Sequence, residues 1–322
     1  MGAISSKRTG SGASSRLIAS ESRFGIVPAV DTVSSLIKFA TTALDDSSVA
    51  ARSESPRLDA MVLLGYVTGL STTKLLTEPE LEISKATSRR FYELIRERVR
   101  GVPVAYLVGE REFFSLPFAV SEAVLIPRPE TEQLVELAVG NLKQRRPLQA
   151  AAPIRVLDLG CGSGCIAIAV ALSANQLRIP VEIVAIDRSE PAVTVARRNA
   201  ERLGADGIRF LVSDWFGALQ GDFDLILTNP PYVPLNSPHL SRDTRFEPPS
   251  ALFAGVDGCD AYRCILPTVA RFLAPGGLFL GEHGIEQGAM LRQLAIQGGF
   301  APSRVRTVSD LTNRDRFLMC EN

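Results

Sequence analysis

Histidine is nearly absent from this 322-residue chain, with two copies, and tryptophan occurs once. Protein zinc sites are built from clustered His and Cys, so no metal is expected. Five cysteines (161, 165, 259, 264 and 320) form an odd set without paired spacing. That pattern argues against a disulfide framework and fits reduced thiols in a cytosolic compartment. No apolar run approaches the roughly 18 residues that a membrane-crossing helix needs. Charge of either sign in excess is missing too, since 35 basic residues balance 35 acidic ones. A generic polyanion binder is disfavoured, because non-specific nucleic-acid affinity comes from neutralising many phosphates.

What is present is an ordinary globular composition, 46% hydrophobic and 22% charged, in a chain long enough for two domains. Residues 1–25 are rich in Ser, Gly and Ala, with four basic residues and one acidic. A disordered tail is expected there, with an organelle transit peptide as the alternative. The expected location is cytoplasmic, and the expected state a monomer.

Residues 26–103 have helical periodicity and predict a small all-α domain. Val33, Leu36, Ile37, Ala40 and Leu44 share one face behind Asp31, which reads as an N-cap. A second helix starts at Ser55-Pro56 and stops at Gly69. A third places Phe91, Leu94, Ile95 and Val99 on one face and ends at Gly101. Its arginines 89, 96 and 100 form either a solvated face or a docking surface for an acidic or ribonucleoprotein partner. Residues 104–127, with short apolar runs broken by Gly109, Pro117 and Pro127, predict a β-hairpin connector. From "RPETEQLVELAVGNL" a helix restarts with acidic residues in its first turn.

Beyond residue 154 strands and helices alternate. "IRVLDL", "EIVAID", "IRFLVS", "FDLILT" and "GLFLGEH" read as buried strands, and "SRVRTVSD" with "RDRFLMC" as an antiparallel pair. The prediction for 128–322 is an α/β domain with a seven-stranded, mostly parallel sheet covered on both faces.

Two constellations carry chemistry. In "VLDLGCGSGCIAIAVA", Gly160, Gly162 and Gly164 fall between a strand and a helix, with Asp158 before them and Asp187 ending the next strand. Glycines let backbone approach a ligand, and a carboxylate at that strand end suits ribose hydroxyls. The spacing is G-x-G-x-G, so the dinucleotide pattern is not met. The combination resembles motif I of class I (Rossmann-like) S-adenosylmethionine-dependent methyltransferases. By that resemblance the loop of Asp158, Gly160, Cys161, Gly162, Ser163 and Gly164 wraps the methionine part, and Asp187 binds the ribose. "SDWFGAL" would cradle the adenine, with Asp214 near the base and Trp215 against it.

The second constellation is Asn229-Pro230-Pro231-Tyr232, leaving the apolar strand "FDLILT". A planar NH₂ is a poor nucleophile because its lone pair is delocalised. The Asn229 side-chain oxygen and the Pro230 carbonyl would accept its two N–H bonds, and proline stiffness would hold both in place. Tyr232 would cover the planar group by stacking. The sulfonium donor is already activated, so no acid–base residue is required.

N-P-P-Y occurs in methyltransferases of adenine amino groups and of glutamine amides. "RLDAMVLLGYVTG", "GVPVAYLVGEREFFSLPFAV", "VLIPRPETEQLVE", "RFEPPSALFAGVDG", "APGGLFLGEHG" and "NRDRF" resemble, in order, the PrmC/HemK family of release factor glutamine methyltransferases. The resemblance implies S-adenosylmethionine as cofactor and, as substrate, the Gln of the Gly-Gly-Gln loop of class I peptide chain release factors. It implies that the helical domain grips that protein, and that no sequence-specific nucleic acid or membrane is involved. Glu130 or Thr131 would face cofactor or substrate, or serve only as a helix N-terminus, and Glu247 would lie on the rim. The alternatives are an adenine methyltransferase acting on DNA or RNA, and a non-catalytic cofactor-binding assembly factor.

Overall fold

The computed structural model describes residues 31–46, 53–145, 152–237 and 242–322. The chain divides into two units, the first ending at Val99 and the second running from Arg100 to Asn322. The tail expected over residues 1–25 lies outside the described residues.

In the first unit β1 (Asp31–Thr32) leads into α1 (Val33–Asp45), followed by α2 (Pro56–Thr68) and α3 (Thr72–Thr77). β2 (Glu82–Ile83) pairs antiparallel with β1, and α4 (Lys85–Val99) closes the unit. The cap of α1 is Thr32 rather than Asp31. Thr32 Oγ1 accepts the Ser35 N–H at 3.3 Å and Ser35 Oγ accepts that of Thr32 at 2.9 Å, a reciprocal capping box. Asp31 instead accepts the Tyr92 hydroxyl at 3.0 Å. The apolar faces predicted for α1 and α4 are buried, except that Val99 is only half-buried. Arg89, Arg96 and Arg100 are exposed, whereas Arg98 is buried against Asp59 at 2.8 Å.

The second unit opens with α5 (Val104–Val108) and then a hairpin, β3 (Glu110–Phe113) with β4 (Leu116–Ala119). The hairpin expected for 104–127 is therefore confined to 110–119. Val104 to Val108 is helical, begun after Pro103 and stopped by Gly109 at φ 75°. Phe114 and Ser115 turn the hairpin with φ of 52° and 59°, the left-handed pair that a tight two-residue turn demands.

α6 (Glu130–Arg145) precedes β5 (Ile154–Leu159), α7 (Cys165–Gln176), β6 (Val181–Asp187), α8 (Glu190–Leu203), β7 (Arg209–Val212) and β8 (Phe223–Thr228). A short helix α9 (Pro249–Leu252), α10 (Asp260–Val269), β9 (Leu273–Glu282), α11 (Gly288–Gln297), β10 (Val305–Ser309) and β11 (Asp315–Glu321) complete it. The sheet has seven strands in the order β10-β11-β9-β8-β5-β6-β7. The five from β9 to β7 run parallel, and β11 and β10 pair antiparallel at the edge. Every residue of β8 is buried, the pattern of a strand covered on both faces.

One core layer joins the sheet to α6, α7 and α8 through residues such as Leu134, Val135, Ile168 and Val193. The opposite layer joins it to α10 and α11 through Tyr262, Ile265, Leu266 and Leu291. Each large aliphatic side chain buried in this way contributes about 1.5–3 kcal/mol. From β5 the chain goes outward to β6 and β7, then returns to the other side of β5 as β8. Such a switch point leaves a crevice beyond the carboxyl ends of its strands.

Candidate active site

The loops leaving β5 and β8 meet at this crevice. Gly160, Gly162 and Gly164 have φ of 83°, 53° and 80°, values that residues with a Cβ rarely adopt. A Cβ at Gly160 or Gly162 would meet nothing within 4 Å, whereas at Gly164 it would come 3.0 Å from the Ala196 Cβ on α8. The first two glycines thus leave open space, and the third lets two helices approach.

Asp187, at the end of β6, ties the loop down. Its carboxylate accepts Gly162 N–H at 2.9 Å and Ser189 N–H at 2.8 Å. Gly160 and Cys161 both donate to the Ile186 carbonyl, at 2.9 and 2.7 Å. Asn199, wholly buried on α8, donates to the Ser163 carbonyl at 2.9 Å and bonds both backbone groups of Ala119 on β4.

Asp158 is wholly buried beneath the loop. Its Oδ2 accepts Ala167 N–H at 3.1 Å, while Oδ1 has no partner. Burial pushes its pKa up to about 7, against the Ala167 N–H, which favours the charged form. The thiol of Cys165 is likewise pushed up to about 12 by burial, so it is no nucleophile.

Thr228, the last residue of β8, donates to the Leu159 carbonyl at 2.6 Å, locking β8 to β5 where the two loops diverge. Asn229 follows, and its Nδ2 donates to Thr131 Oγ1 at 3.0 Å. The Thr131 hydroxyl donates to Glu282 Oε2 at 2.7 Å, and Tyr232 Oη to Glu282 Oε1 at 2.9 Å. Glu282 is wholly buried at the end of β9, and burial raises its pKa while the Thr131 and Tyr232 hydroxyls favour the anion. The Tyr262 hydroxyl holds the Glu282 carbonyl. Gln287 Nε2 donates to the carbonyls of Tyr232, at 2.9 Å, and Asp257, at 3.1 Å.

One cavity gathers most of the residues singled out from the sequence. Gly160, Cys161, Gly162, Ser163, Asp187, Asp214, Trp215, Asn229, Pro230 and Pro231 line it, and so does Thr131. Asp158, Gly164 and Tyr232 are not in its wall. Glu130 is exposed at the start of α6. Glu247 is buried rather than on a rim. It accepts Ile126 N–H at 3.1 Å and the Arg128 guanidinium, stapling the segment before α6.

Glu282, Gln287 and Asn199 escaped sequence reasoning because each acts on a residue far along the chain. The one usable signal was a carboxylate at the end of the apolar run "GLFLGEH". Among the described residues no cluster of three or more His, Cys, Asp or Glu is placed to hold a metal ion, and no helix is long and apolar enough to cross a membrane.

The wall suits an adenosyl amino acid. Open glycine backbone, an acidic strand end and an indole line it, and the partnerless Asp158 Oδ1 lies outside it.

Sequence comparison adds the family. Residues 151–314 match the methyltransferase domain and residues 35–109 the PrmC N-terminal domain. The chain is 43% identical over 272 residues to a release factor glutamine methyltransferase of Xylella fastidiosa, spanning 84% of this chain and 94% of that protein. It is 45% identical over 273 residues to that of Shewanella oneidensis, covering 84% and 91%. With that of Escherichia coli it shares 42% identity over 269 residues, covering 83% and 92%. The chain belongs to the family of release factor glutamine methyltransferases.

Proposed function

We propose that this protein transfers a methyl group from S-adenosylmethionine to the side-chain amide nitrogen of the glutamine in the Gly-Gly-Gln motif of class I peptide chain release factors. The observation that carries the reading is the meeting of Asn229-Pro230-Pro231 and the glycine loop in one cavity, in a chain whose relatives share that name. Those relatives favour glutamine over adenine as the acceptor.

The cofactor supplies a methyl group already activated on a sulfonium. The glycine loop and Asp187 would hold its amino-acid and ribose parts, with Asp214 and Trp215 at the base. Asn229 Oδ1 and the Pro230 carbonyl would accept the two N–H bonds of the substrate amide and fix its plane. The amide nitrogen would bond the methyl carbon as the donor's C–S bond breaks, and the cofactor would leave as its thioether. The displaced N–H proton would pass to water, with orientation doing most of the work. A release factor as substrate supports a location beside the translation machinery, consistent with the cytoplasm.

The reading is tested by mass spectrometry of a purified release factor after incubation with enzyme and cofactor. A gain of one methyl group on the peptide containing Gly-Gly-Gln supports it. An unmodified peptide from an enzyme that binds the cofactor contradicts it.

A further inference from the structure

Three side chains from three separate segments form an unbroken line behind the methyl-acceptor position. Asn229 follows β8, Thr131 sits in the first turn of α6, and Glu282 ends β9. The links are Asn229 Nδ2 to Thr131 Oγ1 at 3.0 Å and Thr131 Oγ1 to Glu282 Oε2 at 2.7 Å. Thr131 is 2% exposed and Glu282 not at all, so the bond between these two is shielded from water.

The direction of the line follows from proton counting. A threonine hydroxyl has one proton to donate. The carboxylate, accepting Thr131 on one oxygen and Tyr232 on the other, takes that proton. Toward Asn229 the hydroxyl is therefore an acceptor, which turns the amide NH₂ inward. Oδ1 is left for the cavity that Asn229 lines. A flipped amide would set its carbonyl against the Thr131 oxygen and turn N–H groups toward the N–H groups of the substrate amide.

We propose that Thr131 and Glu282 are positioning residues for methyl transfer, fixing Asn229 with Oδ1 toward the substrate amide through a hydrogen-bond line that ends on the buried Glu282 carboxyl group. The proposal rests on the release-factor reading above. Hydrogen bonds in series strengthen one another in a low-dielectric interior. A substrate N–H donating to Oδ1 would be the outermost member of the series. Tyr232 Oη on the second oxygen of Glu282 holds the far end of the same Asn-Pro-Pro-Tyr segment, so one carboxylate anchors both its ends. Gly281 makes room for this, since a Cβ there would lie 2.5 Å from the Tyr262 hydroxyl that secures the Glu282 backbone.

The test is a double-mutant cycle on steady-state transfer to a release factor, with cofactor affinity measured separately by calorimetry. Thr131→Val keeps the side-chain shape and removes the hydroxyl. It is expected to lower kcat by about 10- to 100-fold, the usual effect of removing a group that orients a ligand from behind. KM for the release factor and Kd for the cofactor should stay within about threefold, since the loss falls on the reacting geometry. Thr131→Ser restores the hydroxyl and should return kcat to within about threefold of wild type. In an Asn229→Ala background Thr131→Val should lower kcat by less than about threefold, because its partner is gone.

A full, additive loss in the Asn229→Ala background overturns the proposal while leaving the methyltransferase reading intact. So does a Thr131→Val enzyme with wild-type kcat, or one whose activity returns on saturation with cofactor alone. Absence of transfer by the wild-type enzyme removes the release-factor reading and this proposal with it. Should Thr131→Val fail to fold, the same cycle is run with Glu282→Gln, which keeps volume and removes the terminal charge. A loss of kcat that vanishes in the Asn229→Ala background supports the proposal, and an additive loss overturns it.

Discussion

The carboxylate of Asp187 accepts the backbone N–H of Gly162 at 2.9 Å, so the end of β6 clamps the loop that follows β5. Its other oxygen takes Ser189 N–H at 2.8 Å. Removing the carboxylate frees the loop and deletes the acidic group from the cavity wall. Asp187→Ala is expected to raise the cofactor Kd by about tenfold or more, since a hydrogen bond to a charged group is worth about 1.5–3 kcal/mol. Asn229→Ala should instead lower kcat at nearly unchanged cofactor Kd, because under the proposed function its oxygen would accept from the reacting amide. Calorimetric titration of both variants, read with their turnover, checks this division, and equal losses of cofactor affinity contradict it.

Much of this arrangement was legible along the chain. The glycine turn and Asn-Pro-Pro-Tyr each follow a run of buried strand residues, and runs such as "FDLILT" admit few other readings. The antiparallel pair at the end of the chain was legible for the same reason. "VAYLV" at 104–108 was not, because five apolar residues are too few to separate helical from strand periodicity. Pro103 and the left-handed Gly109 decide for a helix. Nor did the sequence disclose that Asp31 lends its carboxylate to Tyr92, leaving the cap to Thr32. Glu282 and Asn199 were hidden because each touches partners 80 or more positions away, and no local pattern records such pairs.

Two glycines of the loop, Gly162 and Gly164, should separate by assay. Gly164→Ala puts a Cβ 3.0 Å from Ala196 Cβ and 3.1 Å from Ile168 Cδ1 at φ +80°. That combines overpacking with backbone strain, and a loss of about 1–3 kcal/mol is expected in urea unfolding. Gly162→Ala has the same backbone problem but open space around it. Its larger effect should be on cofactor Kd, because the new methyl occupies the cavity side. Gly164→Ala as stable as wild type contradicts the assignment.

Asp158 makes stability depend on pH. Its folded pKa is raised to about 7 by burial, above the roughly 3.9 of an unfolded aspartate. The folded state therefore holds the proton more tightly. The resulting stabilisation is complete below about pH 4 and is lost as pH rises through about 7. Asp158→Asn lacks that titration. Between pH 4 and pH 8 the stability of the wild type relative to Asp158→Asn should fall by a few kcal/mol, because each tenfold difference in proton affinity between the two states is worth about 1.4 kcal/mol. Urea unfolding of both proteins across that range checks it, and a constant difference contradicts it.

In the first unit, two ion pairs should differ in weight. Arg98 Nε and Asp59 Oδ2 are 2.8 Å apart with side chains 6% and 15% exposed, and Ser53 Oγ also donates to that oxygen. Asp59→Ala removes the carboxylate from a buried guanidinium and should cost about 3 kcal/mol or more. Arg90 and Glu93 pair at 3.4 Å with side chains 60% and 50% exposed, and Glu93→Ala should change stability by no more than about 0.5 kcal/mol. Unfolding midpoints of the two variants rank them, and a reversed order contradicts the account.

The release-factor reading is tested most directly with labelled S-adenosylmethionine and two purified substrates, a wild-type class I release factor and one with the Gln of Gly-Gly-Gln changed to Ala. The account predicts label in the first and none in the second. Label in both, or in neither, would contradict it.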